Sequence, residues 1–230
     1  MDHPAEPELA FVLEGGRPVT LPVRSARLVI AGWTGRDPVA RDRHIAELEA
    51  LGVQRPPHVP VFYRAAASRL TTADRIECSG ETSSGEVEFV LLKMGGEVLV
   101  GVGSDHTDRE VETYGVTVSK QMCDKPLSPE LWRLSEVGDH WDKLILRAWA
   151  TIDGERILYQ EGSVAAMLPP DAVMAGCPGG FGDGTVMFCG TLAAHGGIRP
   201  ALRFDYEIED PVLRRRIRHG YEVVALPIDG

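Results

Sequence analysis

Glu86 and Glu88 stand two residues apart in the segment GEVEFVLLK, and the two-residue period of a strand puts both side chains on one face. Like charges side by side repel and are costly to bury, so either that face is wet or a cation neutralises it. Carboxylate oxygens with no cysteine and no obligatory histidine beside them suit magnesium or manganese rather than zinc. Further along, GSDHTDRE (103–110) adds Asp105, Asp108 and Arg109, and Ser119-Lys120 adds an ammonium group. Asp105 and Asp108 are three residues apart in a predicted loop, and either could complete a set of three carboxylates. Arg109 is suited to pairing with Asp105 or Glu110 to hold that loop, or to binding an anionic substrate.

The elements that must position these groups can be read from turns and periodicity. Residues 86–94 and 97–104 flank Gly95-Gly96, which predicts a β-hairpin whose arms bring Glu86 toward Asp105. Upstream, LAFVL, PVTLPV and RLVIAGW within residues 9–31 read as strands around the turn signal Gly15-Gly16-Arg17-Pro18. VARDRHIAELEAL (39–51) carries Val39, Ile45, Leu48 and Leu51 among charges and reads as an amphipathic helix stopped by Gly52. After the break at Pro56-Pro57-His58-Val59-Pro60, Val61-Phe62-Tyr63 reads as a strand. WDKLILRAWATIDGERILYQ alternates and turns at Asp153-Gly154, a second hairpin, and Pro169-Pro170-Asp171 opens a short helix. GCPGGFGDGT (176–185) has neither a GxGxxG between strand and helix nor a GK[ST], so it is a loop; RFDYEI (203–208) alternates as a strand. Strands outnumber helices, and the expectation is one β-rich α+β domain over residues 1–230.

Composition narrows the classes of function. A net charge of -10 leaves no basic field for a phosphate backbone, which argues against a nucleic-acid partner. Cys78, Cys123, Cys177 and Cys189 are widely and irregularly spaced, so they suggest neither a zinc site nor a redox pair. The acidic, proline-bearing start MDHPAEPELA has no apolar core and no 18-residue apolar run follows, so a cytoplasmic protein without a membrane partner is expected.

In this order the motifs resemble the catalytic domain of the fumarylacetoacetate hydrolase superfamily. Glu86-Val87-Glu88 is similar to its ExE pair, Ser104-Asp105-His106-Thr107-Asp108-Arg109-Glu110 to NDxxxRD, Ser119-Lys120 to its lysine motif, and Cys189-Gly190-Thr191 to its terminal turn. His44 and Glu47 match the HxxE half of a lid-helix motif, and Gln160-Glu161-Gly162 is similar to a segment after a strand hairpin. GEVE and SDHTDRE also resemble the signatures of a divergent bacterial branch, for which the resemblance supplies a fold and no substrate. The fold it implies is a mixed β-roll or sandwich with a few short helices, packed as a homodimer.

The resemblance also implies a site. Glu86, Glu88 and Asp105 would hold Mg2+ or Mn2+. His44, one turn from Glu47 and oriented by it, would be the general base, and Lys120 would stabilise an enolate. Arg64, Arg109 and Thr191 would bind the substrate, a small 2-oxo acid or 1,3-dicarbonyl acid such as an acylpyruvate. The expected reaction is hydrolytic carbon–carbon cleavage; the alternatives are a decarboxylase, tautomerase or hydratase on the same scaffold, or a non-catalytic ligand-binding module. His106, inside the acidic motif, could instead support the ligands from behind.

Overall fold

Gly95 and Gly96 both adopt positive φ, 59° and 80°, and close the hairpin that carries the acidic residues, a turn that other L-residues adopt only with strain. The structure is a computed structural model, and residues 7–50, 55, 56 and 58–228 are described. The chain begins with β1 (Glu8–Leu13), β2 (Arg17–Pro22), β3 (Arg27–Gly32), α1 (Pro38–Ala50), β4 (Val61–Ala65), β5 (Leu70–Thr71) and β6 (Arg75–Ser79). It continues through β7 (Ser83–Ser84), β8 (Val87–Met94), β9 (Glu97–Ser104), β10 (Thr107–Asp108), α2 (Arg109–Glu112), α3 (Val116–Met122), β11 (Lys125–Pro126), β12 (Glu130–Arg133) and α4 (Leu134–Val137). The last elements are β13 (Ile145–Ile152), β14 (Glu155–Ser163), α5 (Pro170–Gly176), β15 (Thr185–Thr191), β16 (Arg203–Asp210) and β17 (Arg215–Leu226).

Two sheets dominate. One has eight strands in the order β2-β1-β12-β9-β8-β15-β3-β4, and the other five in the order β14-β13-β16-β17-β6. Two short pairs, β10 with β7 and β11 with β5, stand apart from these sheets. On one face of the eight-stranded sheet, Phe89, Leu91 and Val102 join Leu146, Phe204 and Tyr221 of the five-stranded sheet in the larger core. On its other face, Phe11 from β1 and Leu28 from β3 meet Val90, Leu92 and Phe188 in a second core. Residues from both flanks of the sheet therefore share one cluster, which requires the sheet to curl around it. β8 is covered on both faces, which is why FVLL (89–92) reads as a continuous apolar run; each such buried Leu, Val or Phe contributes about 1.5–3 kcal/mol.

The β-rich α+β class, the early strands, both hairpins and the helix at Pro170 agree with the sequence expectations. In the helix expected over 39–51, Ile45 is buried but Val39 is 74% exposed, so Val39 does not belong to its packed face; Leu51 and Gly52 lie outside the described residues. β17, twelve residues of RRIRHGYEVVAL, had no expectation, because its charges obscure the alternation of Ile217 and Tyr221 facing the core. The parallel pairings of β1 with β12 and β15 with β3 were likewise invisible in local pattern. No described helix is long and apolar enough to cross a membrane.

Candidate metal centre

The hairpin register pairs Val87 with Ser104, and just beyond it the Asp105 amide donates to the Glu86 carbonyl at 3.0 Å. This closes the ends of β8 and β9 on each other. Glu86 and Glu88 share the parity of Val90 and Leu92, so both acids sit at the rim of the curled sheet's inner core. One oxygen each from Glu86, Glu88 and Asp105 lies within 4.8 Å of the other two.

The three carboxylates are compensated very differently. Glu88 Oε2 accepts a 2.7 Å hydrogen bond from the Gly190 amide. Gly190 has φ +100°, and a Cβ there would stand 1.8 Å from Thr34 Oγ1, so only glycine lets β15 present that amide. Burial, then the charges of Asp105 and Glu86, push the Glu88 carboxyl well above the usual carboxylate range; Lys120 and the Gly190 amide offset this only in part. Burial acts on Asp105 in the same direction, but Lys120 and Lys125 overcome it and hold that carboxyl down at about 2.

Lys120, on α3, donates to Asp105 Oδ2 and lies 3.9 Å from Glu86 Oε2. Burial opposes its charge, yet Asp105, Glu86 and Glu112 raise its pKa above the ordinary lysine value. The Tyr63 ring centroid is 5.9 Å from its Nζ. Gly32 admits that ring, since a Cβ there would come within 2.9 Å of it. Lys125 has no solvent exposure; its Nζ donates to the His106 carbonyl and stands 3.1 Å from Asp105 Oδ1. Lys125 is the charged group beside Asp105 Oδ1, as Lys120 is beside Oδ2. Three carboxylates with oxygens this close, one of them the under-compensated Glu88, fit a hard dication.

Asp108 has a different task. Its side chain caps α2 by accepting from the Val111 amide at 3.0 Å and accepts from Thr82 Oγ1 at 3.3 Å, so Asp105 is the acid that joins the cluster. Arg109 Nε donates to Ser84 Oγ at 2.7 Å, its Nη1 to Glu112 Oε2 at 2.8 Å, and its Nη2 lies 3.3 Å from Glu86 Oε1. The loop-holding role expected of it is present, with Glu86 and Glu112 as partners in place of Asp105 or Glu110. Burial lowers its pKa, but Glu86 and Glu112 more than restore it.

Two expected substrate ligands are engaged elsewhere. Thr191 Oγ1 donates to the Val87 carbonyl at 2.8 Å and accepts from Gln160 Nε2 at 2.8 Å, while Gln160 Oε1 accepts from the Val87 amide at 3.0 Å. Its hydroxyl braces the start of β8 and is not free for a substrate carboxylate. Arg64 donates to the Leu28 carbonyl at 3.1 Å. It alternates with Tyr63, whose ring joins the inner core, so it points to the opposite sheet face from the acids. α1 carries His44 and Glu47 one turn apart, and their side chains lie outside the described residues.

His106 is joined to the Glu86 backbone through a hydrogen-bonded chain of side chains. Its Nδ1 is 2.8 Å from Tyr221 Oη and its Nε2 is 2.9 Å from Ser83 Oγ, while Tyr221 Oη is 2.8 Å from Ser104 Oγ, which accepts from the Glu86 amide at 3.2 Å. Burial holds its pKa below the ordinary histidine value. The sequence left Lys125, Glu112, Tyr63 and Tyr221 unnoticed. Nothing local in the sequence marks that the Lys125 ammonium is buried.

No curated protein matches the chain. Among solved structures, it is similar to a candidate fumarylacetoacetate isomerase/hydrolase from Oleispira antarctica, with 17% identity, a TM-score of 0.65, and 93% of this chain and 99% of that one covered. A fumarylacetoacetate hydrolase family protein from yeast, ynq8, is 16% identical with a TM-score of 0.62, covering 90% of this chain and 96% of its own. A 2-keto-3-deoxy-D-arabinonate dehydratase complexed with magnesium and 2,5-dioxopentanoate is 15% identical with a TM-score of 0.59, covering 91% and 77%. At these identities the likeness is one of fold, and the fold is that of fumarylacetoacetate hydrolase-family proteins. The family model described as a protein of unknown function, DUF2848, matches residues 31–221, and the chain belongs to that family.

Proposed function

We propose that the protein is a divalent-metal-dependent enzyme that acts on a small 2-oxo or 1,3-dicarbonyl acid through an enolate, by hydrolytic carbon–carbon cleavage. The observation that carries this reading is one cluster of three carboxylates, Glu88 and Asp105 of them buried, with a charged Lys120 at its side. Mg2+ or Mn2+ held by Glu86, Glu88 and Asp105 would supply Lewis-acid polarisation of two substrate oxygens. Lys120 keeps its proton against burial, so its ammonium can balance the negative charge that grows on the enolate oxygen as the carbon–carbon bond breaks. His44, with Glu47 one turn on, would take the proton from the attacking water. The hydroxyl goes to the distal acyl carbon and a proton to the enolate carbon, so water is added across the broken bond. Arg109 holds Glu86 and α2 in place.

A second reading, loss of water from a 3-deoxy-2-oxo acid, is favoured by the similarity to the dehydratase. It uses the same enolate and the same Lys120. Incubation with acylpyruvates and Mn2+, followed by NMR, is expected to show pyruvate and the free acid formed in equal amounts. If no acylpyruvate is cleaved and 3-deoxy-2-oxo acids lose water, the dehydratase reading replaces the hydrolase.

A further inference from the structure

Asp105 is fully buried and is gripped by two ammonium groups whose surroundings differ. Lys125 has no exposure, and its Nζ is anchored by the His106 carbonyl as well as by Asp105 Oδ1. It sits on β11, whose pairing with β5 in the register Lys125 to Leu70 fixes the backbone beneath it. Lys120 keeps 8% side-chain exposure, and its contacts are divided among Asp105 Oδ2, Glu86 Oε2 and the face of Tyr63. One ammonium is built into the protein behind the carboxylate, and the other stands at the opening of the cluster.

We propose that Lys125 is the standing counter-ion of Asp105 and Lys120 the exchangeable one, a division of labour that frees Asp105 for a metal and Lys120 for the substrate. The inference rests on the metal-dependent reading above and adds to it a positioning residue. A fully buried carboxylate left with no cation is strongly destabilising, so with Lys120 as its sole partner Asp105 would hold that ammonium and the metal would have to compete for it. With Lys125 fixed behind, Asp105 stays compensated when Lys120 leaves. Its two oxygens are also held apart in role, Oδ1 against the fixed Lys125 and Oδ2 against Lys120. Lys125 therefore acts on the metal through Asp105, as an outer-shell group does.

The test is Mn2+ titration, read by the EPR signal of free Mn2+, on the parent, Lys125→Met, Lys125→Gln, Lys125→Arg and Lys120→Met. Loss of an outer-shell partner typically lowers metal affinity about 10- to 100-fold, and that drop is expected in Lys125→Met and Lys125→Gln. Lys125→Arg should recover most of it, which a purely space-filling role would not predict. Lys120→Met should bind Mn2+ at least as tightly as the parent. A measurement on the unaltered protein covers variants that fail to fold. In 15Nζ NMR, adding Mg2+ and oxalate should move the Lys120 ammonium signal and leave that of Lys125 in place. Equal Mn2+ affinity in parent and Lys125→Met, or a Lys125 signal that moves with oxalate, overturns the assignment. A parent that binds no Mn2+ overturns the metal reading itself and this proposal with it.

Discussion

The protein carries two clusters of interacting charge, one at the rim of the curled sheet and one on the outer face of the five-stranded sheet, and they are balanced differently. On the outer face, Glu161, Glu207 and Glu209 interleave with Arg147, Arg216 and Arg218, three acids against three bases. Glu207 is almost fully buried there, and all three arginines reach it. At the rim, Glu86, Glu88, Asp105 and Glu112 face Arg109, Lys120 and Lys125, four acids against three bases. Among the described residues no basic side chain forms an ion pair with Glu88, whose partner is a backbone amide. The outer lattice is a finished structural network, as its alternating signs across neighbouring strands allow. The rim is short of one cation, and the deficit falls on a carboxylate whose pKa is raised mainly by burial.

That contrast can be broken outright by removing the acids that lack a partner. Glu86→Gln with Glu88→Gln keeps volume and removes charge, and is expected to abolish Mn2+ binding, a larger loss than the roughly 10- to 100-fold of an outer-shell change. Calorimetric titration of the folded variant checks it, and undiminished affinity would place any metal elsewhere.

Next in size is the exchangeable cation. Oxalate shares the charge and chelating geometry of a pyruvate enolate, so the rim should bind it in the presence of saturating Mg2+, and the outer lattice should not. Lys120→Met should weaken oxalate by roughly 1.5–3 kcal/mol, the range for hydrogen bonds to charged groups. Equal affinities in parent and variant would remove Lys120 from the mechanism.

The smallest effect sharpens the comparison most, because the two clusters should respond with opposite sign. The folded protein holds the Glu88 carboxyl above its ordinary 4.5, so ionisation costs the folded state more than the unfolded one as pH rises past that value. In metal-free protein, Glu88→Gln should therefore raise stability at neutral pH, and the gain should vanish below pH 4.5, where the unfolded chain also binds the proton. Glu207→Gln instead removes the charge that three arginines share, and should cost about 1–3 kcal/mol at neutral pH. Urea unfolding across the pH range reads both, and a loss of stability in Glu88→Gln would show that its charge is already compensated.

Much of the rim was legible because its residues are close in sequence. A strand's period of two places Glu86 with Glu88, and a two-glycine turn brings Asp105 to them, so the local rules suffice. Asp108 could not be told from Asp105 by spacing, and it was helix capping at Val111 that separated them. Thr191 and Arg64 were expected at the substrate because of motif position. The hydroxyl of Thr191 is used by Gln160 and Val87, and the strand's alternation turns Arg64 away.

The sequence by itself determined the strand-rich class, both hairpins and the meeting of Glu86, Glu88 and Asp105, because each follows from periodicity or turn geometry within a few residues. Only the tertiary structure decided how those charges are balanced. Gly190 reaches Glu88 from a strand that pairs with β8, and the buried Lys125 sits on a strand that pairs with β5 in the register Lys125 to Leu70, far apart in sequence. Burial and partner set the sign of a pKa shift, and both are properties of the packed sheet rather than of any local stretch of chain.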